Sequence, residues 1–154
     1  MPLKVEPILS RFGAECSGLD LTKPLIPAEV KQVTDAMDAW GVTVWRNTGM
    51  NDDQHVEFSR NFGYLERVPR REGVRFRLPH RELFDASNLN VDGEITQDVA
   101  AIQYRKGDRL WHTDSAFMES APAIRCCSRI RCRPKAARPR SPIRAALTTT
   151  CRRT

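Results

Sequence analysis

The stretch Leu110-Trp-His-Thr-Asp-Ser-Ala-Phe117 decides how the rest of the chain is read. In an extended strand, side chains two positions apart project from the same face, so His112 and Asp114 can present an imidazole and a carboxylate to one point. Neutral imidazole and ionised carboxylate are the donors of the 2-His-1-carboxylate facial triad. That triad holds Fe(II) by three protein ligands and leaves the opposite positions open for a co-substrate and O2. An isolated His-x-Asp is more often a hydrogen-bonded pair at a strand end, so the surrounding sequence has to choose between the two readings.

Upstream, Pro27 to Trp40 carries Val30, Val33, Met37 and Trp40 at helical spacing, with Pro27 suited to the first turn and Gly41 to the stop. The segment Val42-Thr-Val-Trp45 is short, β-branched and aromatic, which predicts a core strand directly after the helix. Asn51, with Gln54 three residues on, predicts the cap of a second helix over roughly residues 52–62, stopped by Gly63. Asp52 and Asp53 suit the positive end of its dipole. His55 falls within this helix and receives no role.

Residues 66–81 hold six arginines, at 67, 70, 71, 75, 77 and 81, interrupted by Pro69, Gly73 and Pro79. This is the pattern of a surface loop or edge strand. A sharper alternative is a lid that draws anionic substrates towards a pocket. His80 reads as a surface histidine, with substrate contact as the alternative. Asn90-Val-Asp-Gly93 predicts a hairpin turn before Glu94-Ile-Thr. Trp111 reads as core.

The blocks around the His-x-Asp strand supply the missing context. Leu110-Trp-His-Thr-Asp-Ser-Ala-Phe117 resembles the iron-binding strand of the taurine and 2,4-dichlorophenoxyacetate dioxygenase family. Trp40-Gly-Val-Thr-Val-Trp-Arg46 resembles that family's early helix-to-strand passage. Phe58-Ser-Arg-Asn-Phe-Gly-Tyr-Leu-Glu66 resembles its second helix and exit, and Ala86-Ser-Asn-Leu-Asn-Val-Asp-Gly93 its next strand and turn, all in the same order. The resemblance spans about residues 5–124. It implies a mixed, mainly β fold: a double-stranded β-helix, or jelly roll, with N-terminal flanking helices, incomplete in this chain.

The resemblance also implies a function. Members of the family use Fe(II) with 2-oxoglutarate as co-substrate, and couple oxidation of a small organic acid by O2 to the release of succinate. His112 and Asp114 would be two of the three iron ligands. Asn88 and Asp108 would be contacts to substrate or co-substrate. Relatives often carry Asn four residues before the first iron-ligand histidine, where this chain has Asp108, and a carboxylate there would repel anionic ligands. Arg60-Asn-Phe-Gly and Leu110-Trp-His resemble the 2,4-dichlorophenoxyacetate branch, so aryloxyalkanoate-like acids are the leading substrate class and sulfonates the next. A homo-oligomer is an expectation for the full-length parent.

The composition changes abruptly at residue 125. Residues 125–154 hold nine Arg and one Lys and no Asp or Glu; of the chain's 25 basic and 19 acidic residues, that leaves 15 basic against 19 acidic in the body. Four of the five cysteines, at 126, 127, 132 and 151, also lie there. The division expected is therefore a dioxygenase part over 1–124 and a basic tail over 125–154. The tail lacks hydrophobic periodicity, and disorder is its expected state.

An arm for nucleic-acid phosphates is the alternative function for such a tail, but it carries no aromatic residue on which bases could stack. Zinc binding by Cys126, Cys127 and Cys132 does not match structural-zinc spacing. The family's second histidine ligand, and the Arg that pairs with 2-oxoglutarate, belong further on than this sequence reaches. No histidine follows His112.

A slipped reading frame near residues 125–128 accounts for the change. Suitable codons for Arg133-Pro-Lys-Ala-Ala-Arg-Pro139, read one base earlier, spell Pro-Pro-Lys-Gly-Gly-Glu-Thr. Codons for Leu147-Thr-Thr-Thr-Cys-Arg-Arg-Thr154 in that frame spell Tyr-Asp-Asp-Leu-Pro-Ala-Asp. Both resemble family segments. The opening Met1-Pro-Leu-Lys-Val-Glu lacks a secretory layout and no apolar run is long enough for a bilayer, so a cytoplasmic, reduced protein without a membrane partner is expected.

Overall fold

The computed structural model describes residues 2–70, 72–104, 124–128 and 146–150. They belong to two units: one made of Met1–Tyr64 with Pro122–Thr154, the other of Leu65–Ala121. No helix among the described residues is long and apolar enough to cross a membrane.

The first unit is built on a five-stranded sheet. Strands β1 (Lys4–Pro7), β2 (Ala14–Ser17), β3 (Val42–Trp45), β4 (Ile124–Cys127) and β5 (Ala146–Thr150) lie in the order β1-β2-β3-β5-β4. β1 and β2 form an antiparallel hairpin, with Lys4 opposite Ser17 and Pro7 opposite Ala14. Parallel strands need a long crossover, and the α1 helix (Pro27–Trp40) supplies it between β2 and β3. β5 runs antiparallel to both β3 and β4.

α1 has the predicted bounds because its ends are chemically marked. Pro27 takes the first turn, and the Glu29 carboxylate accepts from the Ile26 backbone N–H at 3.1 Å. At the other end Gly41 turns out of the helix with φ +70°, its N–H donating to Met37 O at 2.8 Å. A Cβ at Gly41 would lie 2.9 Å from the Phe12 ring, so the turn is crowded as well as left-handed. The face α1 buries is Val33, Ala36 and Met37. Together with Cys16, Leu21, Trp45 and Phe58 they form the core. Each large apolar side chain taken out of water there stabilises the fold by about 1.5–3 kcal/mol. Trp45 satisfies its indole N–H on the Thr43 hydroxyl at 3.2 Å, which allows both to be buried.

The α2 helix (Asp52–Arg60) starts where the Asn51–Gln54 pair predicts. Asn51 Oδ1 accepts from Gln54 N, and Gln54 Oε1 accepts from Asn51 N, each at 2.9 Å. It closes two residues short of the expected end. The Asn61 side-chain amide donates to the carbonyls of Glu57 and Phe58 at 3.2 and 2.9 Å, taking up acceptors that another helical turn would have used.

The basic segment differs from expectation at two short stretches. In β4, Ile124 and Cys126 alternate onto the core, and the β-branched run of Ala146–Thr150 forms β5. The rest of 129–154, including Cys132 and Cys151, lies outside the described residues.

In the second unit the arginine-rich stretch carries no helix or strand among its described residues, as its Pro and Gly content predicts. Four of its guanidiniums are turned onto the unit itself. Arg67 pairs with Glu82, Arg75 with Asp92 and Arg77 with Asp85, at 3.4, 3.2 and 2.6 Å. Arg70 donates to the carbonyls of Leu78 and Pro79 and stacks over Phe76. These commitments support the surface-loop reading over a cationic lid.

The Asp-Gly turn is present: Asn90 N donates to Glu94 O at 2.7 Å, Gly93 adopts φ +83°, and Leu89 bridges Ile95. A short helix α3 (Val99–Tyr104), which sequence periodicity did not mark, follows Asp98, whose carboxylate accepts from Ala100 N at 2.9 Å.

Asp85 gives this unit a pH dependence. Burial by itself would raise its pKa, but hydrogen bonds from Arg77 and from the Ser87 hydroxyl and N–H outweigh it and hold the carboxyl at about 2. A depressed carboxylate stabilises the folded form above the unfolded value of about 3.9, and that contribution is lost as pH falls towards 2. Proteolysis by an acid-active protease within residues 66–88 is therefore expected to accelerate between pH 4 and pH 2. Asp85→Asn should remove that acceleration; an unchanged profile in the variant would exclude Asp85 as its source.

Candidate functional site

The predicted ligands His112 and Asp114, and Asp108 before them, lie outside the described residues. Asn88 is described and exposed, in the strand-to-turn passage before the hairpin, where its carbonyl accepts from Thr96 N at 2.9 Å. Of the four predicted residues, Asn88 is the one among the described residues. Among the described residues no group of three or more His, Cys, Asp or Glu side chains could hold a metal ion. The chemistry expected of the chain thus rests on the 105–123 segment, and what the structure adds is how the flanking chain is held.

The return point of that segment is β4. Ile124, ten positions after Asp114 in sequence, packs with Cys126 against the core of the first unit. Burial pushes the Cys126 thiol up to about 11, with the neighbouring Cys127 adding to the rise and the Ser59 side chain opposing it. A thiol held in its protonated form is a poor nucleophile. Cys16 is also free and buried, its thiol raised to about 11 by burial and by the Glu15 charge.

Sequence reasoning left His55 without a place, and the structure gives it one. His55 is buried on α2 beside Val56 and Phe58. Burial lowers its pKa, while Asp52 and a hydrogen bond with the Cys126 backbone carbonyl pull the other way. The signal was present in the spacing: His55 and Phe58 stand three apart on α2, and just beyond its end Phe62 meets Phe58 edge-to-face at 5.1 Å.

Residues 4–126 match the sequence profile of the family described as "Taurine catabolism dioxygenase TauD, TfdA family". The chain is 35% identical over 126 residues to the alpha-ketoglutarate-dependent 2,4-dichlorophenoxyacetate dioxygenase of Burkholderia sp. (strain RASC), covering 79% of this chain and 41% of that protein. It is 33% identical over 126 residues to the enzyme of the same name from Cupriavidus pinatubonensis (strain JMP 134 / LMG 1197), covering 79% and 43%. Among solved structures it resembles AAD-2, crystallised in complex with Mn(II) and N-oxalylglycine. The TM-score is 0.66 and the identity 33%, over 84% of this chain and 43% of that one. The chain spans about two-fifths of the length of the curated relatives it matches.

Proposed function

Because the chain belongs to the TauD/TfdA family of 2-oxoglutarate-dependent dioxygenases, we propose that it is the N-terminal part of an Fe(II)-dependent oxidoreductase acting on a small organic acid, aryloxyalkanoate-like or sulfonate-like. The observation that carries this reading is the family match across residues 4–126, which takes in His112 and Asp114. The AAD-2 likeness supports a mainly β fold with flanking helices, of which the full jelly roll would be the completed form.

His112 and Asp114 would hold the iron. The donor types fit: a neutral imidazole and a carboxylate two positions apart are two-thirds of a facial triad. Ferrous iron, when bound, supplies the redox chemistry that links 2-oxoglutarate and O2 to oxidation of the substrate. The protein's own task is to fix those two side chains on a strand and to seat an anionic substrate beside them. Asn88 and Asp108 are the proposed contacts to substrate or co-substrate. Of the two, the Asp108 carboxylate would sit badly against an anion unless protonated or paired.

The missing third ligand and the basic residues beyond β4 are explained together by a slipped reading frame. The family match stops at residue 126, within the window where the composition changes. The test is the DNA across codons 125–154 and beyond. The frame one base earlier is expected to encode the Pro-Pro-Lys-Gly-Gly-Glu-Thr and Tyr-Asp-Asp-Leu-Pro segments, and to run on into a half carrying a histidine and an arginine. A stop codon or unrelated sequence in that frame would sink the explanation.

A further inference from the structure

Asn88 sits in a stretch whose neighbouring polar side chains are committed to the chain itself. Asp85 Oδ2 accepts from Arg77 Nε at 2.6 Å, while its Oδ1 accepts from Ser87 N at 2.9 Å. Ser87 Oγ in turn accepts from Leu89 N at 3.2 Å. Further on, Asn90 Oδ1 accepts from Asp92 N and Glu94 N, and the Asp92 carboxylate takes Arg75. Asn88 differs. Its carbonyl accepts from Thr96 N, but its side chain is exposed and the amide has no hydrogen-bond partner among the described residues. The backbone is fixed on both sides of Asn88, and its amide is the uncommitted group.

The series of bonds that fixes it begins on the arginine-rich stretch. Arg77 lies eight positions before Asp85, and the carbonyls of Leu78 and Pro79 that follow it accept from Arg70 at 2.8 and 2.9 Å. Val68 N donates to Arg81 O at 2.7 Å and closes the loop that carries Arg77. Two ion pairs tie this loop to the Asn88 passage, and exposure ranks them. The Arg75 and Asp92 side chains are 76% and 60% exposed, so water screens most of their attraction. Arg77 and Asp85 are 20% and 24% exposed, and their charge-assisted contact is the stronger tie.

We propose that Arg77 is a positioning residue for Asn88: through Asp85 and Ser87 it holds the Asn88 amide ready to donate to a carboxylate of the substrate or of 2-oxoglutarate. This rests on the reading of Asn88 as a substrate or co-substrate contact. The cation here orients a neutral donor instead of attracting the anion itself. Without Arg77 the half-buried Asp85 carboxylate loses its counter-charge and turns to water. Ser87 N and then Leu89 N lose their acceptors, and the Asn88 passage samples other conformations. Apparent affinity scales with the competent fraction, so a passage competent one-tenth of the time binds about tenfold more weakly.

The experiment titrates 2-oxoglutarate and, separately, phenoxyacetate into the whole 154-residue chain. Calorimetry gives the affinity, nitrogen–proton NMR of the Asn88 side-chain amide gives the location, and amide exchange at Ser87 and Leu89 reports the brace. At least one carboxylate is expected to shift the Asn88 amide, and which one does so identifies its source. Arg77→Gln should weaken that binding about tenfold and speed exchange at Ser87 and Leu89, while Val68 keeps its protection. In an Asn88→Ala background Arg77→Gln should weaken binding no further, whereas an arginine acting only on general stability would add its loss to that of Asn88. A carboxylate that shifts the Asn88 amide with equal affinity in Arg77→Gln and in the unsubstituted chain would overturn the proposal and leave the role of Asn88 standing. If neither carboxylate shifts that amide, the reading of Asn88 fails and the proposal with it. Should Arg77→Gln fail to fold, Ser87→Ala decides: it keeps the Arg77–Asp85 pair but frees Leu89 N, and unchanged affinity there counts against the brace.

Discussion

A polypeptide of these 154 residues, supplied with Fe(II), 2-oxoglutarate and an aryloxyalkanoate, is expected to release no succinate above a metal-free control. The sequence holds three histidines, and none follows His112. One of the other two, His55, is buried on α2, so its ring is not offered to a metal at a surface. On the proposed reading, His112 and Asp114 give iron two protein ligands where a facial triad has three. Positioning of the reacting groups contributes several orders of magnitude to such reactions, so the expected loss is complete within detection. Succinate release that rises with substrate and exceeds the control would show that the chain is competent as it stands.

Exposed apolar side chains bear on solubility. In this chain Ile8, Leu9 and Phe12, at the β1–β2 turn, are at least half exposed. Uncovered edges and apolar surface favour self-association, which sets the conditions under which any assay of this chain must be run.

Much of the first unit was legible because its boundaries are written in local chemistry. Pro27 and Gly41 bracket α1, Asn51 with Gln54 opens α2, and the one polar residue of the Val42–Trp45 run, Thr43, has its hydroxyl taken up by Trp45. What could not be read depends on partners distant in sequence. The early end of α2 turns on Asn61 choosing backbone carbonyls over solvent, and Asn in such a position commonly does either. The arginines at 67, 75 and 77 looked like a basic surface because their carboxylate partners lie 8 to 17 positions away, in a stretch without regular structure that gives periodicity nothing to act on. β4 and β5 were hidden by a composition that elsewhere in the tail signals no packing at all.

The candidate site was legible in a different way. His112 and Asp114 carry meaning through their spacing in sequence, and through the blocks around them that the family match over residues 4–126 spans. His55 carries meaning only through its three-dimensional neighbours. Nothing in its immediate sequence says that the residue opposite it is Cys126, 71 positions further on.

The account stands or falls on whether these two side chains grip ferrous iron. The direct measurement is anaerobic Fe(II) binding in the presence of 2-oxoglutarate, followed by the electronic absorption or nitrosyl EPR signal of the bound metal. The comparison is between the unsubstituted chain, each of His112→Ala and Asp114→Ala, and the double variant. Outer-sphere partners alone commonly change metal affinity by about 10–100-fold, so loss of a direct ligand should weaken binding by roughly tenfold or more, and loss of both should abolish the signal. An iron signal of unchanged strength in the double variant would contradict the account.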